Sequence, residues 1–402
     1  MSCETSNGQR YARAVYTSDS FFNPNRAATL GQLTIELTER CNNRCQHCYI
    51  NRPANDTLAS KNEMKTGMIK NLIHQARDLG CLSVRFTGGE PLLRDDFDEI
   101  YTYTRKNGFS VSISTNARLL TPKRIELFKT MPPRRPINIT VYGMQKESYE
   151  RVSGVKGSFD EFRQGVQRLA DNHIEFSFLM AVLPQNRQDI PAFENWHRTL
   201  FNGEQEPVFI TTLYQRARRD DPQKNRKIQS LRLPPQEVVD ILARSKNYHN
   251  ELTQYCRSFT GKADDSCFIC GFGESLSVDA YGFAMGCQLV RHPNFLYNLH
   301  NGTLEQAWKR FFPALALCKA TNADFLRRCA RCVLRGLCSQ CPAQSWMEHG
   351  TVDTPVEYLC DIAHAHAEKL GLLAKGEKGW KISDWDHRIQ KISEIDHPYP
   401  ER

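Results

Sequence analysis

The chain has 402 residues, 40% of them hydrophobic, and its 53 Lys and Arg against 45 Asp and Glu leave a net charge of +8. This length accommodates a full barrel with a smaller domain beside it, and so modest a charge gives no reason to expect a nucleic-acid partner. The 15 cysteines come with no secretory signal and no apolar run long enough to span a membrane, which argues against a disulfide scaffold and for soft-metal ligation in a reducing cytoplasm.

In chain order, residues 1–28 read as a polar N-terminal extension. Alternation through Leu33, Ile35 and Leu37 predicts a strand over 33–38. Further β-rich runs follow at 81–86, 109–113, 137–142, 174–182 and 207–213. Helical patterning fills 63–79, 94–107 and 158–172. Gly80 and Gly108 stand where a left-handed residue ends the first two helices, and Ser158 with Glu161 are spaced as a capping box at the start of the third. Strands alternating with helices imply an α/β fold with a parallel sheet and right-handed crossovers. Six such units give a partial (β/α)6 TIM-like barrel over 29–235. A charged, irregular stretch follows at 215–230, then a linker helix at 236–254, a cysteine-rich domain at 255–370 and a polar tail at 371–402.

Directly after the first strand, Cys41, Cys45 and Cys48 form a C-x3-C-x2-C triplet. Three thiolates on one loop can each hold one iron of a cubane cluster, whose usual complement is four cysteines. The fourth iron is then open to a small molecule. On spacing alone a zinc site or unrelated buried thiols remain alternatives. The second strand closes on Gly88, Gly89, Glu90 and Pro91, where glycines let backbone approach a ligand closely and expose its N–H groups. Ser114, Thr115 and Asn116, then Tyr142-Gly143 and Gln185-Asn186, fall at the ends of later strands. All these motifs lie on the C-terminal rim, where barrel chemistry is placed.

Together these residues resemble the radical S-adenosylmethionine (radical SAM) superfamily. The resemblance implies a [4Fe-4S] cluster on Cys41, Cys45 and Cys48, with the methionine part of SAM chelating the open iron. It implies that Gly88, Gly89 and Glu90 receive the SAM amino group, that His47 and Tyr49 lie near the adenine, and that Ser114, Thr115 and Asn116 meet the ribose. Arg151 stands where relatives place a cation for the SAM carboxylate. For Arg151 and Tyr49 the competing readings are a solvated helix face and a core aromatic.

The second cysteine field runs Cys267-x2-Cys270, Gly282-x4-Cys287, Cys329-x2-Cys332-x5-Cys338-x2-Cys341 and finally Cys360. It resembles the SPASM extension, which implies two auxiliary [4Fe-4S] clusters. Family topology puts Cys267, Cys270, Cys287 and Cys341 on one, and Cys329, Cys332, Cys338 and Cys360 on the other. The Cys338–Cys341 spacing is one residue shorter than usual, and Cys256 competes with Cys267 as a ligand. A zinc ribbon on the C-x2-C pairs is the alternative reading. Metal ligation does part of the folding in small domains of this kind. Cys3, Cys81, Cys256 and Cys318 are then left as free thiols.

The resemblance implies reductive cleavage of SAM to a 5′-deoxyadenosyl radical, which abstracts hydrogen from an unactivated carbon. No general base stands out. The expected substrate is a ribosomally made peptide that is crosslinked or oxidised. The short stretch before Cys41 implies a separate leader-binding protein, and a flavodoxin or ferredoxin-type protein is the expected electron donor. A sulfatase-maturating enzyme or a small-molecule radical dehydrogenase is the runner-up. A non-catalytic zinc or electron-transfer module is the reading from another class.

Overall fold

The computed structural model describes residues 30–50, 52–215, 221–258, 264–268, 270, 272–273 and 275–393; the N-terminal extension and the last residues of the tail lie outside them. The described residues divide into two compact bodies, 30–232 with 270–317, and 233–268 with 318–393.

The larger body is built on a nine-stranded sheet. Its strands are β1 (Gln32–Thr38), β2 (Ser83–Gly88), β3 (Ser110–Thr115), β4 (Ile137–Val141), β5 (Phe176–Ala181), β6 (Val208–Ile210), β7 (Leu276–Val278), β8 (Phe283–Met285) and β9 (Tyr297–Asn298). The spatial order is β9-β8-β7-β1-β2-β3-β4-β5-β6. Strands β1 to β6 pair in parallel with their sequence neighbours. The six predicted strands are therefore present in the predicted order, as a partial barrel. Residues 276–298, which the sequence reading put in the cysteine-rich region, extend that sheet: β7 pairs parallel to β1, and β8 and β9 follow antiparallel.

Helices at Thr66–Asp78, Phe97–Lys106, Pro122–Thr130, Lys146–Ser153, Ser158–Asp171 and Ile190–Leu200 alternate with the strands. Gly80 and Gly108 take φ of +76° and +92° after the first two, as expected of chain-reversing glycines. The expected capping box at Ser158 is not formed. Gly157 is the N-cap, Ser158 bonds Val155 and Ser153, and Glu161 is drawn away to pair with Arg118. The stretch read as irregular at 215–230 contains a helix, Pro222–Ser230, whose N-cap Asp221 accepts from the Lys224 N–H at 2.8 Å. Sequence patterning missed it because its apolar face is little more than Ile228.

The two faces of the barrel sheet differ in chemistry. Phe86 meets Phe97 on the helix side with ring centroids 6.2 Å apart, and Phe178 stacks on Trp196 at 4.5 Å. Because side chains alternate along a strand, the residues between these point into the barrel. They include Thr34, Glu36, Arg85, Ser112, Ser114, Asn138, Thr140 and Ser177, with Leu179, Val208 and Ile210 at the β5–β6 end, so the interior is polar across β1 to β4 and largely apolar at β5 and β6. The Asn138 amide donates to the Ser112 hydroxyl at 3.0 Å and accepts from Ser177 at 2.8 Å, lacing β3, β4 and β5 together.

In the smaller body, helices at Pro235–Leu242, Tyr248–Ser258 and Glu357–Lys369 surround a core of Leu334, Leu337, Ala363, Ala367 and Leu370. Leu372, Leu373, Trp385 and Ile389 join it, so residues 371–393 pack rather than trail. The predicted linker helix is two helices, broken at 243–247.

Candidate active site

The chain leaves β1 at Thr38 and enters the cysteine loop under several constraints. Arg40 donates to both carboxylate oxygens of Glu63, at 2.8 and 3.0 Å, and the buried Arg94 donates to the Leu37 carbonyl at 3.0 Å. The Gly89 and Glu90 N–H groups donate to the Thr38 and Arg40 carbonyls at 2.7 and 2.9 Å. A Cβ on Gly88 would lie 2.2 Å from the Thr38 oxygen, and one on Gly89 2.3 Å from the Arg40 oxygen. These glycines therefore admit the chain leading to Cys41.

Glu90 is fully buried and accepts from the Thr115 hydroxyl at 2.8 Å, the Asn116 N–H at 2.8 Å and the Leu92 N–H at 3.1 Å. Burial raises its carboxyl pKa, while these donors oppose the rise. It clamps the end of β2 to the end of β3. Asn116 passes the constraint on, donating to the Asn42 side chain at 2.7 Å and lying 3.8 Å from the Cys41 sulfur.

The three cysteines occupy one loop, Cys41 and Cys45 buried and Cys48 half-buried. The Asn43 N–H donates to the Cys41 sulfur at 3.3 Å. Burial pushes the Cys45 thiol up to about 12 and the Cys41 thiol higher still. A buried thiolate therefore needs a compensating cation, and three thiols on one loop, the first with a backbone N–H donating to its sulfur, suit an iron-sulfur cluster. Among the described residues no three His, Cys, Asp or Glu side chains converge on a single ion; a cubane instead gives each cysteine its own iron.

The other expected residues divide. His47 lies beside Tyr142, ring centroids 5.8 Å apart, and burial and then Lys224 lower its pKa to about 4, so it is neutral. Tyr49 meets Tyr214 edge-on at 5.9 Å. Ser114, Thr115 and Asn116 close β3 beside Glu90 as expected. Arg151 is not brought in with them: its side chain is exposed, and only its carbonyl reaches the loop, accepting from Gln46 at 3.3 Å. Two cations the sequence reading did not select do reach the loop. Arg118, two residues past Asn116, donates to the Asn43 side chain at 2.6 Å, and Lys224 donates to the Cys45 carbonyl at 3.0 Å. Arg118 was signalled by its place beside the Ser-Thr-Asn motif; nothing local marked Lys224.

The sequence signature of the radical SAM superfamily matches residues 35–196. The chain carries a radical SAM domain. A [4Fe-4S] cluster and SAM are the cofactors of that domain, and Cys41, Cys45 and Cys48 lie inside it. The chain is 31% identical to the Fe-coproporphyrin III synthase of Methanosarcina barkeri over 156 residues, which are 39% of this chain and 38% of that protein. It is 29% identical to the antilisterial bacteriocin subtilosin biosynthesis protein AlbA of Bacillus subtilis over 157 residues, 39% of this chain and 34% of AlbA. The match thus spans well under half the length of these curated relatives. Among solved structures, Streptococcus suis SuiB bound to S-adenosylmethionine aligns with a TM-score of 0.60 at 13% identity, covering 81% of this chain and 76% of SuiB. SuiB bound to its precursor peptide SuiA aligns at 0.59, covering 81% of this chain and 74% of SuiB. The radical SAM fold is common to both chains.

In the smaller body, Cys267, Cys329, Cys332, Cys338 and Cys360 line one cavity with Phe325, Arg328, His364 and Trp380. Cys256 is instead packed in the apolar core with Leu334 and Ala363. Cys270 and Cys287 belong to the larger body, and Cys267 and Cys341 to the smaller. Cys81 is a free buried thiol, donating to the Ser83 carbonyl at 3.2 Å, and Cys256 is also free. Cys318 is disulfide-bonded, which corrects the expectation of a free thiol there; Cys3 lies outside the described residues. No described helix is long and apolar enough to cross a membrane.

Proposed function

We propose that this radical SAM enzyme modifies a ribosomally made peptide, forming a crosslink or oxidising a side chain. Cys41, Cys45 and Cys48 would hold the cluster, which would supply the electron for reductive cleavage of SAM. The chain's own residues prepare that site. The Asn43 N–H donates to the Cys41 sulfur, Glu90 holds the second and third strand ends in register, and the neutral ring of His47 is suited to lie against an adenine. Burial of the loop keeps water from the reacting centre. SAM contacts for Gly88, Gly89, Ser114, Thr115, Asn116, Tyr49 and Arg151 belong to the same proposal, with Arg151 requiring its side chain to turn inward.

The observation that carries the peptide reading is the polar part of the barrel interior across β1 to β4, where the Ser112–Asn138–Ser177 ladder and Arg85 face the space a substrate would enter. Peptide groups and polar side chains suit such a lining, because each finds a partner when it leaves water. The similarity to SuiB, solved with a precursor peptide, and to AlbA supports it. We also propose two auxiliary clusters in a SPASM-like region at 255–370, one of them on Cys329, Cys332, Cys338 and Cys360. A flavodoxin or ferredoxin-type protein would supply electrons.

The test is anaerobic turnover of reconstituted protein with SAM, reductant and the peptide encoded by a short reading frame beside the gene. Loss of two hydrogens per modified site, absent without SAM, supports the proposal. A formylglycine in a neighbouring sulfatase favours the runner-up. The similarity to the Methanosarcina barkeri synthase favours a small-molecule substrate instead, and turnover of an iron-porphyrin precursor with no peptide product would establish that reading.

A further inference from the structure

Cys360 occupies an unusual position among the cavity cysteines. Arg328 Nη2 lies 3.6 Å from its sulfur, and His364 Nδ1 lies at the same 3.6 Å. The Gly379 N–H donates to His364 Nε2 at 3.1 Å. The proton of the neutral ring is therefore on Nδ1, where it faces the Cys360 carbonyl at 2.8 Å and its sulfur. Two N–H groups thus converge on one sulfur. Arg328 is fixed from both sides: its guanidinium donates to Glu357 at 2.6 and 2.9 Å, and it lies over the Trp380 ring, 4.6 Å from the centroid. Its buried Nε has no hydrogen-bond partner although Arg328 lines the cavity. A donor left without an acceptor in a cysteine-lined cavity suits the sulfides of a cluster. Trp380 and Gly379 belong to the segment after residue 371, and a Cβ on Gly379 would come within 2.8 Å of the Cys332 sulfur, so that segment closes tightly over the cavity.

We propose that Arg328 is a positioning residue that raises the reduction potential of the auxiliary cluster held by Cys329, Cys332, Cys338 and Cys360, with Glu357 moderating its charge and Trp380 shielding it from water. The inference rests on the auxiliary-cluster reading. Reduction adds negative charge to a cluster, and hydrogen bonds and positive charge at its sulfurs favour the reduced state. Opposite signs follow for the two partners. Arg328→Gln removes the cation and lowers the potential. Glu357→Gln leaves the cation uncompensated and raises it.

The experiment is potentiometric titration of the reconstituted full chain, followed by electron paramagnetic resonance, with iron counted in each variant. Arg328→Gln is expected to shift the reduction equilibrium at least tenfold, 59 mV for a one-electron couple, to more negative potential. Arg328→Lys should recover part of that shift, and Glu357→Gln should move the opposite way. A merely structural role would loosen the site in both variants and shift both in one direction; that result, or an unmoved potential with iron content intact, overturns the proposal. If Arg328→Gln does not load, the signs for Arg328→Lys and Glu357→Gln decide. If Cys329→Ala with Cys360→Ala leaves the iron content unchanged, the auxiliary-cluster reading itself fails, and this proposal with it.

Discussion

The Glu90 carboxylate accepts a hydrogen bond from the Thr115 hydroxyl at 2.8 Å, joining two strand ends by side chains in a fully buried setting. Glu90→Gln keeps the shape but sets an amide where the Asn116 N–H, Leu92 N–H and Thr115 hydroxyl all require acceptors. One donor then loses its partner, at a cost of about 1–3 kcal/mol. Denaturant midpoints at unchanged m-value should show that loss, with SAM affinity reduced in parallel.

The glycines before Glu90 give a contrast between steric and torsional cost. Gly88→Ala drives a methyl into the Thr38 carbonyl at a φ of +124°. It should cost about 2–4 kcal/mol and reduce the iron bound at the cysteine loop. Gly108 has a φ of +92° and open space around its Cβ position, so Gly108→Ala should cost only about 1–2 kcal/mol and leave iron loading unchanged.

The barrel interior contains a buried ion pair between Arg291 and Glu36, both almost inaccessible. Burial raises the Glu36 pKa, and the Arg291 charge opposes it. Arg291→Met strands the carboxylate and should cost about 3–5 kcal/mol. Combining it with Glu36→Gln should recover part of that loss, a non-additivity that a double-mutant cycle in guanidinium reads directly.

His47 sets a pH dependence. Its folded pKa of about 4 lies below the ordinary 6.5, so the unfolded chain binds the extra proton between those values. The stabilisation from keeping His47 neutral is present above pH 6.5 and is lost as pH falls towards 4. Compared with wild type, His47→Gln should flatten the slope of stability against pH in that window by up to one proton. An unchanged slope would show that the ring is protonated in the folded protein.

Much of this was legible because barrel strands are long apolar or alternating runs and their chemistry sits where each run ends. Leu33, Ile35 and Leu37 marked β1, and the Cys41 triplet marked its end. Strands β7 to β9 were not legible: three short segments of two or three residues carry no periodicity and are strands only because β1 offers an edge. The close approach of the 38–40 backbone to Gly88 and Gly89 was not legible for a related reason, since it is set by tertiary packing. Lys224 was hidden in a charged stretch whose helix turns on one buried isoleucine and an Asp221 cap. Arg151 shows the converse, a residue in the expected sequence position whose side chain faces solvent.

The most direct measurement is formation of 5′-deoxyadenosine and methionine by the anaerobically reconstituted, reduced chain supplied with SAM. Both products are expected in equal amounts from the wild type and neither from Cys45→Ala. Equal product from Cys45→Ala, or none from a wild type whose cysteine loop is loaded with iron, would contradict that expectation.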